Sequence, residues 1–100
     1  MADDIPQSHP RYRSLLARRL LTEAAADGLL AESALIAHGR GEAFDYLLGE
    51  RTIASARQAI NESAARLLTA ESPVLSVNGN TVALAADQML SCAAVLDCPI

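Results

Sequence analysis

Proline and glycine divide this chain into pieces of helical length, and that punctuation limits its folding more than any other feature. Pro10, Gly28, Gly49, Pro73 and Pro99 border runs whose apolar residues recur every three or four positions. Over 8–28, Leu16, Ala17, Leu20, Leu21 and Ala24 fall on one side of a helical wheel, with Arg19, Thr22 and Glu23 toward the other. Ser8 is placed to cap this helix, Pro10 to sit in its first turn and Gly28 to stop it. Over 52–71, Ile53, Ala56, Ile60, Ala64, Leu67 and Leu68 predict a second long helix, with Thr52 as its cap and an end before Pro73. Over 87–96, Asp87 is expected to cap a helix carrying Met89, Leu90, Ala93, Ala94, Val95 and Leu96.

Two stretches break that rhythm. Over 35–49, Gly39 and Gly41 bracket Arg40, after which Phe44, Leu47 and Leu48 recur at helical spacing until Gly49. The pattern predicts a glycine-flanked loop feeding a short helix. At 74–77 the β-branched run reads as a buried strand leading into the polar turn Asn78-Gly79-Asn80. Pro99-Ile100 looks like the start of another strand. One strand leaves its backbone donors and acceptors unpaired, so the chain reads as a single incomplete domain. The fold class expected is α/β: the helix-rich amino-terminal part of a Rossmann-like parallel-sheet domain, truncated after its first strand–helix unit.

Composition narrows the function. Eight arginines and no lysine face twelve carboxylates, giving a net charge of -4, so no basic face speaks for nucleic acid or a membrane surface. No apolar run approaches the ~20 residues that cross a bilayer, and the start Met1-Ala2-Asp3-Asp4 is acidic where a secretory signal is basic. Cys92 and Cys98 lack zinc-ligand spacing and read as buried thiols of a cytoplasmic protein. With three aromatic residues in the chain, the core must be built from Ala, Leu, Ile and Val. At this length a fold buries roughly 60 to 70% of its unfolded surface and is marginal without extra support.

Candidate ligand contacts come from charge without a local partner. Arg19 pairs at helical spacing with Glu23, and Arg57 and Arg66 fall off the apolar stripe toward solvent. Arg18 has no carboxylate three or four positions away; it is either solvated or held by another part of the fold or a ligand. An arginine between two glycines at a helix start suits a phosphate, which marks Gly39, Arg40 and Gly41. The alternative is a plain turn in which Arg40 pairs with Glu42, Asp45 or Glu50 and His38 is a core or helix-end histidine. Asn78, Gly79 and Asn80 lie just past a strand's carboxyl end, where open α/β sheets place ligands, although Asn-Gly is also a common turn.

Ile5-Pro6, Ser8 to Tyr12, the sixteen residues Leu35 to Glu50, and Pro73-Val74 with Ser76 to Asn80 closely resemble the archaeal phosphopantothenate synthetase family, also called 4-phosphopantoate–β-alanine ligase. That resemblance implies an ATP-dependent ligase of coenzyme A biosynthesis, cytoplasmic and homodimeric. ATP activates the carboxylate of 4-phosphopantoate as an acyl adenylate, and β-alanine then displaces AMP. By motif, Arg18 and Arg40 correspond to the family's ATP contacts, with magnesium as the usual companion of ATP. His38 and Asn78 are catalytic candidates, and Asn78, Gly79 and Asn80 substrate-binding candidates, by position alone. Family members are longer, so the isolated chain is expected to be inactive. The rival reading is a non-catalytic helical module that oligomerises through its apolar faces.

Overall fold

The computed structural model describes residues 5–100, so the acidic start Met1 to Asp4 lies outside the described residues. The described chain forms four helices: α1 Tyr12–Ala26, α2 Ser33–Leu47, α3 Ala54–Thr69 and α4 Gly79–Leu96. No strand occurs among the described residues. The α/β expectation therefore gives way to an all-helical array. Residues 74–77 lack regular structure, and one bond ties them across, from the Leu75 N–H to the Pro99 carbonyl at 3.1 Å. A single bond does not make a ladder, which needs a partner along the whole edge.

Helix ends follow backbone chemistry. At Gly28 (φ 83°) the Gly28 N–H donates to Ala25 O and the Leu29 N–H reaches back to Ala24 O, closing α1 with a left-handed residue as expected. Gly49 (φ 85°) does the same for α2, through Gly49 N–H to Tyr46 O and Glu50 N–H to Asp45 O. Asp97 (φ 49°) takes that left-handed place after α4. Aspartate tolerates the conformation better than most side chains.

Helix starts depart further from expectation. α1 begins at Tyr12, not Ser8. His9 precedes a proline and is biased away from the helical region, so it closes a turn on Pro6 O instead (2.9 Å). Its Nδ1 accepts the Arg11 N–H at 3.0 Å. Thr52 makes no cap; α3 starts after Ile53, whose backbone is extended. The loop expected around Gly39 and Gly41 is helical, both glycines lying inside α2. Each costs up to ~1 kcal/mol against alanine, but the helix formers on either side carry the turn through. α4 begins eight residues before Asp87, at Gly79, with the Asn78 Oδ1 accepting the Thr81 N–H at 2.9 Å. A break at Ala85 (φ -144°) divides it, and the second half coincides with the helix predicted over 87–96.

α1 packs against both α2 and α4, which also touch each other, while α3 stands outside this trio. Leu21 of α1 is the one fully buried large side chain among the described residues. Elsewhere apolar groups stay open: Phe44 is 67% exposed, Leu47 76% and Val95 75%. The radius of gyration is 15.6 Å, against about 13 Å for a compact domain of this length. An apolar groove of about 420 Å³ runs between α3 and α4, lined by Leu67, Leu68, Leu75, Met89 and Val95. Both cysteines are free thiols, and Cys92 is exposed, not buried as expected. No described helix is long and apolar enough to cross a membrane.

Candidate functional site

Positions 11, 14 and 18 recur three and four apart, so α1 and the residue before it present Arg11, Ser14 and Arg18 on one side. Position 42 follows 38 by one helical turn, which gives α2 a face carrying His38 and Glu42. These faces meet. Arg11 donates from Nε to Glu50 Oε1 at 2.6 Å and from Nη2 to Glu42 Oε2 at 3.3 Å. The Ser14 hydroxyl donates to the other Glu50 oxygen at 2.6 Å. Glu50 arrives there because the left-handed turn at Gly49 and Glu50 folds the chain back over α1.

Arg18 lies one layer further along. Its Nη1 donates to the Leu35 carbonyl at 2.5 Å and stands 3.8 Å from Glu42 Oε1. His38 Nδ1 is 3.3 Å from that same oxygen, within ion-pair reach when the imidazole is protonated. From α4, Asn80 Nδ2 donates to Ala34 O at 3.1 Å, so α1 and α4 both grip carbonyls of the first turn of α2. Glu42, 17% exposed at its side chain, is the carboxylate on which Arg11, Arg18 and His38 converge. Two buried atoms at this junction, His38 Nδ1 and Asn80 Oδ1, lack a hydrogen-bond partner.

Charge follows the geometry. The Ser14 hydroxyl, and after it the Arg11 guanidinium, hold the Glu50 carboxyl below its usual range. In return Glu50 raises the Arg11 guanidinium further above its already high value. Both shifts favour the ionised pair.

The predicted site residues divide. Arg18, His38 and Asn80 come to one junction of α1, α2 and α4. Arg40 does not join them: two residues beyond His38, it lies about 200° around the same helix and is exposed. None of Glu42, Asp45 or Glu50 pairs with it. Gly39 borders a shallow depression with Arg11 and Tyr46. Open space surrounds both Gly39 and Gly41, where an added Cβ would meet nothing within 4 Å. Asn78 is engaged as the α4 cap, with its Oδ1 also accepting the Thr81 hydroxyl at 2.9 Å. Gly79 sits against the 29–30 loop, and a Cβ there would lie 2.6 Å from Leu30 Cβ. Arg11, Ser14, Glu42 and Glu50 were not singled out by sequence reasoning. The spacing of positions 11, 14 and 18 was the available signal, but its partners lie 17 to 39 residues away. No group of three His, Cys, Asp or Glu side chains suited to a metal occurs among the described residues.

Comparison with known proteins bears on this cluster. The phosphopantothenate/pantothenate synthetase family model matches residues 55–100. A 4-phosphopantoate–β-alanine ligase of Thermococcus onnurineus (strain NA1) is 53% identical over 93 residues, covering 93% of this chain and 36% of that protein. The protein of that name in Methanospirillum hungatei JF-1 is 56% identical over 85 residues, 85% of this chain and 35% of its own length. That of Methanosarcina mazei is 52% identical over 90 residues, covering 90% and 36%. This chain belongs to the phosphopantothenate synthetase family. The likeness carried by residues 35–50 thus holds across most of the chain. The chain spans about 36% of the length of the relatives it matches, so the cluster is one portion of what a whole synthetase carries.

Proposed function

We propose that this chain is the amino-terminal part of an ATP-dependent ligase that joins 4-phosphopantoate to β-alanine in coenzyme A biosynthesis. The observation that carries the reading is Arg18. Among the described residues it is fixed only through Nη1, which leaves Nε and Nη2 to donate to a phosphate.

A carboxylate is a poor electrophile. In the proposed reaction its oxygen attacks the α-phosphorus of ATP, pyrophosphate leaves, and the amine of β-alanine attacks the acyl carbon to release AMP. Both partners of the first step are anionic, so preorganised cations contribute most by holding them together and matching charge that builds in the transition state. Arg18 supplies one such cation at the helix junction. Arg40, exposed and unengaged by carboxylates, supplies a second from another face of α2 and reaches nucleotide bound across the surface. Beside Arg18, Asn80 offers an amide oxygen without a hydrogen-bond partner, and His38 a ring nitrogen 3.3 Å from Glu42. Glu42 and Glu50 are committed to arginines, so the cluster offers no ligand set for magnesium, whose place in this reading is on the nucleotide phosphates.

Residues 74–77 and the segment at Pro99, joined by one bond, are in this reading the first two strands of a parallel sheet continued by later residues. A homodimer belongs to the same proposal. So does a cytoplasmic location.

The test is AMP release by a full-length synthetase carrying the change that matches Arg40→Ala or Arg18→Ala. Loss of a charge-assisted phosphate contact costs on the order of 2 to 4 kcal/mol, so the rate is expected to fall by about 30-fold or more. A rate within a factor of two of the unmodified enzyme contradicts the assigned roles. The open apolar faces of α2 and α4 favour a second reading, a helical oligomerisation module without catalysis. Light scattering with ATP titration separates the two, since an oligomer indifferent to ATP supports the module.

A further inference from the structure

We infer that Glu42 is a positioning residue: it holds the Arg18 guanidinium in the orientation that leaves Nε and Nη2 facing a nucleotide phosphate. This rests on the reading of Arg18 as a nucleotide contact. Arg11 and Arg18 stand two helical turns apart, about 10 Å along the axis, and Glu42 reaches both. Its Oε2 is 3.3 Å from Arg11 Nη2 and its Oε1 3.8 Å from Arg18 Nη1.

The two ends of this bridge differ in freedom. Arg11 is pinned by Glu50 at 2.6 Å, and Glu50 in turn by Ser14 at 2.6 Å. Glu42 is thereby anchored on the Arg11 side, and Arg18 is the partner whose pose follows. The Leu35 carbonyl gives Nη1 a second fixed point at 2.5 Å. One hydrogen bond, to Leu35 O, and one ion pair, with Glu42, both fall on Nη1 and leave the other donors unused. The Arg18 side chain is 36% exposed, so those donors have access to solvent and to a ligand.

Electrostatics and positioning predict opposite signs. A carboxylate near a phosphate site repels the phosphate, so neutralising a mere neighbour tightens ATP binding. Neutralising a positioning carboxylate lets Arg18 swing and weakens binding. Glu62→Gln is the control: it neutralises the carboxylate of the exposed Arg66 pair on α3, which does not touch Arg18.

The experiment is nitrogen-15 NMR of the arginine side chains together with ATP titration, on the unmodified chain, Glu42→Gln and Glu62→Gln. In Glu42→Gln the Arg18 Nη1 hydrogens are expected to exchange with water about tenfold faster, and the ATP dissociation constant to rise roughly five- to twentyfold. In Glu62→Gln both stay within about twofold. Glu42→Asp keeps the charge but shortens the reach by about 1.5 Å, and it also speeds the exchange; it carries the comparison should the glutamine variant unfold. Unchanged Arg18 exchange in both Glu42 variants, or tighter ATP binding by Glu42→Gln, overturns the inference. An unmodified chain that ignores ATP contradicts the nucleotide reading of Arg18, while the exchange measurement still decides whether Glu42 holds it.

Discussion

Glu50 shows how one residue joins local backbone geometry to the site. Its positive φ (56°) belongs to the turn that ends α2, and its carboxylate closes on Ser14 and Arg11. Because the folded state holds this carboxyl below the ordinary glutamate range, the unfolded chain takes up its proton first as pH falls. The stabilisation is therefore complete above the ordinary range and drains away as pH drops through the lowered folded value. Urea unfolding midpoints are expected to be flat from pH 7 to about 5.5 and to decline below about 4.5, with Glu50→Gln showing a shallower acid-side decline. Equal declines in the two proteins would remove Glu50 as the source. None of this was visible in the sequence: a Glu after a Gly reads as a loop residue, and the partners that give it meaning lie 36 and 39 residues away. Arg18 was half legible. Its lack of a local carboxylate marked it as a charge needing a distant partner, and the structure supplies Leu35 O and Glu42.

At the scale of the element, glycines at positive φ and glycines within helices behave in opposite ways. Gly49 is left-handed at the end of α2, whereas Gly41 is inside that helix with open space around it. Gly49→Ala is expected to lower stability by about 1 kcal/mol, and Gly41→Ala to raise it by about 0.5 to 1 kcal/mol. Denaturant titration of both variants checks the pair, and a stabilised Gly49→Ala or a destabilised Gly41→Ala contradicts the assignment of elements. The stops at Gly28 and Gly49 were readable because a left-handed turn needs a residue without a side chain. The helix through 39–41 was not, since glycine disfavours a helix locally and neighbouring helix formers outweigh it. The start of α4 was missed for a related reason. Asn78-Gly79 has the letters of a tight turn, yet the asparagine caps a helix and the glycine admits Leu30.

Across the whole molecule, a thin core sits beneath open apolar faces. Leu21, at 0% exposure, is held within α1 where that helix packs on α2 and α4. Leu21→Ala removes the one large side chain that is fully buried among the described residues, at an expected cost of about 2 to 5 kcal/mol. Such a loss is a large share of the stability of any small domain. Circular dichroism is expected to show helix content falling in that variant, and unchanged content would place the core elsewhere. The sequence implied a chain needing support, because half its residues are apolar at a length that buries them poorly. It did not reveal that the segment at 74–77 remains without a ladder, since strand formation depends on a neighbour and not on the β-branched letters alone.

The most direct test of the account is where ATP touches this chain. Titration with ATP, followed by amide and arginine side-chain NMR, is expected to move Arg18, His38, Asn80 and Arg40 while leaving the solvent face of α3 around Arg57 and Arg66 unchanged. Perturbation confined to α3, or none at the junction of α1, α2 and α4 at saturating ATP, would contradict it.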